Sequence, residues 1–137
     1  MARAKRVNHI AIIVDDLEKA MEPYVKGLGL EPTEIEFVES YNTRIVFLPV
    51  GDTQIELLQP LGDAGELQEF LKAGGGLHHI AFEVEDVEAS IAELEEKGIR
   101  MADKTPKPGA QNTLIAFAKR ESFSDVLVEI VQPAERE

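Results

Sequence analysis

At 137 residues and 44% apolar composition, the chain is long enough for one sizeable core, or for two small modules that share one. Cysteine is absent, which excludes disulfides, thiolate metal sites and cysteine nucleophiles together and leaves nitrogen and oxygen as the only metal donors. A formal net charge of −12 argues against nucleic acid or an anionic membrane as partner, and the longest apolar runs, such as Ile10 to Val14, are far too short to span a bilayer.

Met1 to Arg6 leads straight into a strand rather than a signal-peptide core, so the expected compartment is the cytoplasm. Residues 7–14 are β-branched and apolar, as a strand requires. Asp15-Asp16 then opens an amphipathic helix with Leu17, Ala20, Met21 and Tyr24 at helical spacing, which Gly27 and Gly29 end. Glu34 to Val38 and Arg44 to Val50 read as strands, Gly51-Asp52 as a tight turn, and Thr53 to Leu58 as the strand before Pro60. The unit is βαβββ.

Ala64 to Ala73 reads as a short helix with Leu67, Phe70 and Leu71 on one side. Gly74-Gly75-Gly76 reads as a flexible hinge, not a phosphate loop, because no Lys-Ser or Lys-Thr follows. In the second half His79 to Val84 is a strand, and Asp86 caps a helix with Val87, Ile91 and Leu94 on its apolar face, stopped by Gly98. Pro106 to Gly109 reads as a loop, Leu114 to Ala118 as a strand and Val126 to Val131 as the closing strand. The expected organisation is a single domain over residues 1–137, with module one at about 6–60, a linker at about 61–76 and module two at about 77–133.

The chain repeats itself. Val7-Asn8-His9-Ile10-Ala11 returns as Leu77-His78-His79-Ile80-Ala81, offset by 70 residues, and Ile55-Glu56-Leu57-Leu58-Gln59-Pro60 returns as Val128-Glu129-Ile130-Val131-Gln132-Pro133, offset by 73. Each half therefore carries a histidine on its first strand and a glutamate on its last. A strand carboxylate among apolar neighbours wants a partner, because burying it alone costs several kcal/mol. A divalent cation held by His9, Glu56, His79 and Glu129 would supply one to both glutamates. Two imidazoles and two carboxylates suit Co(II), Mn(II), Ni(II), Fe(II) or Zn(II) rather than Cu(I), and an octahedral ion would keep two positions for substrate oxygens. His78, next to His79, points to the opposite strand face and reads as structural. Lys104, Lys107, Lys119 and Arg120 form a local basic patch able to receive a phosphate, or else scattered solvated charges.

The paired βαβββ modules with His and Glu in each half resemble the vicinal oxygen chelate, or glyoxalase-like, superfamily, an α+β fold whose modules form a curved sheet around a metal cleft. Gly51-Asp52-Thr53-Gln54-Ile55-Glu56-Leu57-Leu58 and Gly76-Leu77-His78-His79-Ile80-Ala81 narrow the resemblance to the methylmalonyl-CoA epimerase family, and it spans nearly the whole chain. It implies a metal-dependent enzyme that interconverts (2R)- and (2S)-methylmalonyl-CoA by abstracting the C2 proton through a chelated enolate. His9, Glu56, His79 and Glu129 are then the ligands, Glu129 is also the base, an acyl-CoA is the substrate, and a homodimer is the assembly.

Some epimerases place a second base, a glutamate, where this chain has Ile45, with Glu39 and Tyr41 as nearby substitutes. Family members also carry glycines at Gln111-Asn112 and in the turn around Ser124-Asp125. A glyoxalase-type lyase, or a non-catalytic small-ligand-binding protein of the same superfamily, would use the same scaffold. The first would need the same four ligands, and the second would bind without turnover.

Overall fold

The computed structural model describes residues 3–134. Two compact units divide the chain: residues 9–78 make one, and residues 3–8 together with 79–134 make the other.

The 9–78 unit contains most of β1 (Arg6–Ile13), α1 (Leu17–Glu22), β2 (Glu36–Val38), β3 (Thr43–Val50), β4 (Thr53–Pro60) and α2 (Glu66–Lys72). Its strands run in the order β2-β3-β4-β1, with β4 parallel to β1 and antiparallel to β3. Strand alternation sorts the side chains. Val46, Leu48 and Leu57 face Leu17 of α1 and form its core, with Ile12, Val14 and Ile55 packed around them. Each fully buried leucine in that set, Leu17, Leu48 and Leu57, contributes about 1.5–3 kcal/mol by leaving water. His9, Ala11, Ile45, Phe47, Glu56 and Leu58 take the face away from the helix, and all six are buried.

The second unit repeats the plan with the larger part of β5 (Gly76–Glu83), α3 (Val87–Glu96), β6 (Lys107–Gly109), β7 (Thr113–Phe117) and β8 (Val128–Gln132). Its strand order is β5-β8-β7-β6, with β5 and β8 parallel. Val84, Val87, Ile91, Ala116 and Ile130 pack with Met101 on the helix side, while Ala81, Ile115 and Val131 cluster on the other. Residues 3–8 belong here because Lys5 N–H donates to the Glu83 carbonyl at 2.9 Å and Arg6 pairs with the Glu83 carboxylate at 2.8 Å.

Helices α1 and α3 start in the same way. Asp16 accepts from the Lys19 N–H and Asp86 from the Ala89 N–H, each at 3.1 Å. The first helical N–H is taken by a glutamine at the end of the last strand of the same unit, Gln59 for Leu17 and Gln132 for Val87, at 3.1 and 3.0 Å. The repeated Gln-Pro pair thus has a structural use.

Three expectations change. Pro106 to Gly109 is not all loop, because Lys107–Gly109 forms β6, an edge strand where Pro108 sacrifices no inner ladder bond. Gly76 opens β5, and Gly75 is packed rather than hinge-like: at φ +66° it sits where a Cβ would come within 3.0 Å of the Ile13 carbonyl oxygen. Beyond α1 the chain adds a five-residue π turn over Pro23–Gly27, closed by Leu28 N–H donating to the Pro23 carbonyl at 3.1 Å. No helix among the described residues is long and apolar enough to cross a membrane.

Candidate metal centre

Within the 9–78 unit, β1 and β4 run parallel with Ala11 opposite Glu56. His9 lies two residues before Ala11 and so on the same face, and its Nε2 stands 3.4 Å from Glu56 Oε1. Phe47, opposite Glu56 in register, meets the imidazole edge-on at 5.9 Å between centroids. The second unit builds the same triplet. Ala81 is opposite Glu129, His79 Nε2 stands 3.7 Å from Glu129 Oε2, and Phe117, opposite Glu129, meets the His79 ring edge-on at 5.2 Å.

All four ligand candidates are buried, with Glu56 and Glu129 only 4% and 3% exposed. Both nitrogen–oxygen separations exceed the usual N–H···O range of about 2.7–3.2 Å. They approach the spacing of neighbouring donors on one ion whose ligand bonds are about 2.0–2.2 Å. The donor set therefore fits a divalent metal: each unit offers one imidazole nitrogen and one carboxylate oxygen on a buried face, walled by a phenyl ring. Sequence reading paired His9 with Glu56 and His79 with Glu129, and the structure brings each pair together. It overlooked the phenylalanines, although Phe47 and Phe117 share the 70-residue offset of the histidines.

The remaining candidates separate. His78 packs edge-on against Phe70 of α2 at 4.9 Å and has the structural place expected of it. Ile45 is buried on the His9/Glu56 face, opposite Glu36 of β2 in register, so the position of a second base holds an aliphatic side chain. Glu39 and Tyr41 lie on an exposed 3-10 turn, Glu39–Tyr41.

Two of the four residues of the basic patch pair with acidic neighbours. Lys104 bonds Glu95, Lys107 bonds Asp103 at 3.2 Å, and the Lys104 ammonium with the Met101 N–H holds the Glu95 carboxyl below its usual range. At the positions where the resemblance implies glycines, Gln111 and Asn112 (φ +58° each), Ser124 (+55°) and Asp125 (+67°) have positive φ, the region that glycine takes without strain.

Residues 8–117 match the profile of the Glyoxalase/Bleomycin resistance protein/Dioxygenase superfamily. The ethylmalonyl-CoA/methylmalonyl-CoA epimerase of Cereibacter sphaeroides is 38% identical over 130 residues, covering 93% of this chain and 97% of its own length. The chain belongs to the methylmalonyl-CoA epimerase family. The mitochondrial methylmalonyl-CoA epimerase of Bos taurus, another member, is 37% identical over 129 residues, covering 93% of this chain and 74% of its own. The crystal structure of methylmalonyl-CoA epimerase from Mycobacterium tuberculosis superposes with a TM-score of 0.91 at 30% identity, covering 98% of this chain and 92% of that one. The glyoxalase-like α+β fold is thus common to this chain and to solved epimerases of the family.

Proposed function

We propose that the protein is a metal-dependent epimerase that interconverts (2R)- and (2S)-methylmalonyl-CoA, with His9, Glu56, His79 and Glu129 as ligands of one divalent ion and Glu129 as a base. The observation that carries this reading is the same buried His–Glu–Phe triplet built once in each unit of a chain of this family. When bound, the metal supplies positive charge against the negative charge that grows on the substrate oxygens as the C2 proton leaves.

The protein residues do the rest. His9 and His79 offer imidazole nitrogens fixed by the parallel strands beneath them, so little reorganisation remains at the moment of reaction. Phe47 and Phe117 pack edge-on against the two imidazoles and help hold them in place. The Glu129 carboxylate takes the C2 proton from one epimer and, in the reverse direction, delivers it to that same face, a role worth typically about 10²–10⁴ in rate; inversion is completed by a proton from water on the opposite face, where Ile45 offers no acid. Cobalt, manganese, nickel and zinc all suit this donor set. A cytoplasmic homodimer is the form the reading favours, and light scattering of the purified protein tests the dimer.

The deciding experiment follows the C2 proton of racemic methylmalonyl-CoA by NMR in deuterated water, using metal-stripped protein before and after cobalt or manganese is added. Metal-dependent loss of the signal, absent in Glu129→Gln, is the expected result. A protein that binds the metal and exchanges nothing would overturn the reading.

A further inference from the structure

Glu129 serves one face of C2, so inversion also needs a proton source on the other. A side chain that feeds this proton must be ionisable and must share a sheet face with metal ligands. Register identifies the residues on that face in the 9–78 unit. Ala11 and Phe47 are both opposite Glu56, Ile45 is opposite Leu58, and Glu36 of β2 is opposite Ile45. Cross-strand partners share a face, and so do alternate residues of one strand. The ionisable side chains that the strands of this unit place there are therefore His9, Glu56 and Glu36. His9 and Glu56 are taken as ligands, which leaves Glu36.

Its setting suits an acid that shuttles a proton. The Glu36 side chain is half-buried, and among the described residues no cation pairs with its carboxylate. A glutamate side chain is about as long as the spacing of about 4.8 Å between paired strands, so the Glu36 carboxyl can reach a water standing over Ile45. The edge strand beneath it is fastened at both ends. Thr33 N–H donates to the Phe47 carbonyl at 2.9 Å and Phe47 N–H donates to Thr33 Oγ1 at 3.1 Å, which ties the chain entering β2 to the residue opposite Glu56. After β2, Asn42 N–H donates to the Glu39 carbonyl at 3.1 Å and closes the turn into β3.

The other unit shows that the fold does not require an acid at this place. The residue opposite the equivalent Ile115 is Lys107, which is ion-paired with Asp103 at 3.2 Å. The duplicated faces match in histidine, glutamate and phenylalanine, and diverge here into a paired base and an acid that no cation neutralises.

We propose that Glu36 is the acid behind the water that reprotonates C2. The electron pair of the enolate forms the new C2–H bond to a proton of that water, and the water oxygen takes the Glu36 proton, so the water is restored. Glu36 is left as a carboxylate and regains its proton from solvent, and the other epimer is opened by the reverse path. Acting through the water, Glu36 is a positioning residue for it. The inference deepens the epimerase reading and rests on it for the placement of the substrate.

The test supplies each pure epimer of methylmalonyl-CoA to metal-loaded parent, Glu36→Gln and Glu36→Ala proteins in deuterated water, reading deuterium entry at C2 by NMR and inversion by circular dichroism. Glu36→Gln is expected to lose about 10- to 100-fold in inversion, less than the usual 10²–10⁴ of a directly acting acid because the water stays. Deuterium should still enter the epimer that Glu129 opens, with its configuration kept, and should enter the other only slowly. Glu36→Ala is expected to lose inversion to the same degree and to regain part of it when formate is added. Inversion at the parental rate in Glu36→Gln would overturn the proposal and leave the epimerase reading standing. So would exchange falling in both epimers together with inversion and without rescue by formate, which would give Glu36 a structural role. A parent that binds metal and exchanges the C2 proton of neither epimer overturns both.

Discussion

The Gln59 side-chain oxygen accepts a hydrogen bond from the Leu17 N–H at 3.1 Å, fastening the start of α1 to the end of β4. Gln132 does the same for Val87. Replacing either glutamine by leucine leaves a partly buried helical N–H without its acceptor, at a cost of about 1–3 kcal/mol. Thermal unfolding should show each single variant destabilised, and the double variant close to the sum, because each bond lies within its own unit.

Metal binding should stabilise the fold. A ligand at about 100 times its dissociation constant adds about 2.7 kcal/mol. The midpoint of the stripped protein should therefore rise when cobalt or manganese is added. In Glu56→Gln or His79→Ala the rise should shrink markedly, while Lys26→Gln, on the exposed turn beyond α1, should keep it. Equal rises in all four proteins would place the metal elsewhere.

Four non-glycine residues hold left-handed backbone in the two loops of the second unit. That conformation costs an ordinary residue roughly 1–2 kcal/mol, part of which glycine forfeits through its greater chain entropy. Gln111→Gly and Ser124→Gly should each stabilise the protein by about 0.5–1 kcal/mol in chemical denaturation. Gly109→Ala should act the other way, because a Cβ there would meet Thr113 Oγ1 at 2.7 Å and Ile115 Cγ2 at 2.8 Å.

Lys104 lowers the Glu95 pKa, with a further contribution from the Met101 N–H. A carboxyl whose folded value is depressed contributes stability above its ordinary value of 4.5, and that contribution disappears as pH falls through the folded value. The difference in thermal midpoint between the parent and Glu95→Gln should be constant near neutrality and close below pH 4.5. A difference that persists into strong acid would show that the salt link does not govern it.

The duplication makes much of this legible in the sequence. Histidine and glutamate recur at matched offsets because both units need the same donors, and the capping aspartates recur because both helices begin after the same strand. What escaped was whatever depended on pairing. Lys107-Pro108-Gly109 has the composition of a loop and becomes a strand only because β7 offers an edge to it. Once paired, it turns Lys107 from one member of a scattered basic patch into a group above Phe117. Register, which no single segment encodes, made that difference. The π turn at Pro23–Gly27 escaped for a local reason: Pro23 lacks the N–H that continues an α-helical ladder, and the chain widens the turn instead of ending it.

The assignment of residues 3–8 to the second unit sets an order of events during synthesis. The 9–78 unit draws on one continuous stretch of chain. Its neighbour must wait for residue 79 onward and then recruit a segment made more than seventy residues earlier, anchored by Lys5 and Arg6 on Glu83. Closure over that sequence distance is slow relative to local pairing. Residues 79–134 therefore also depend on residues 3–8, which precede the other unit in the chain.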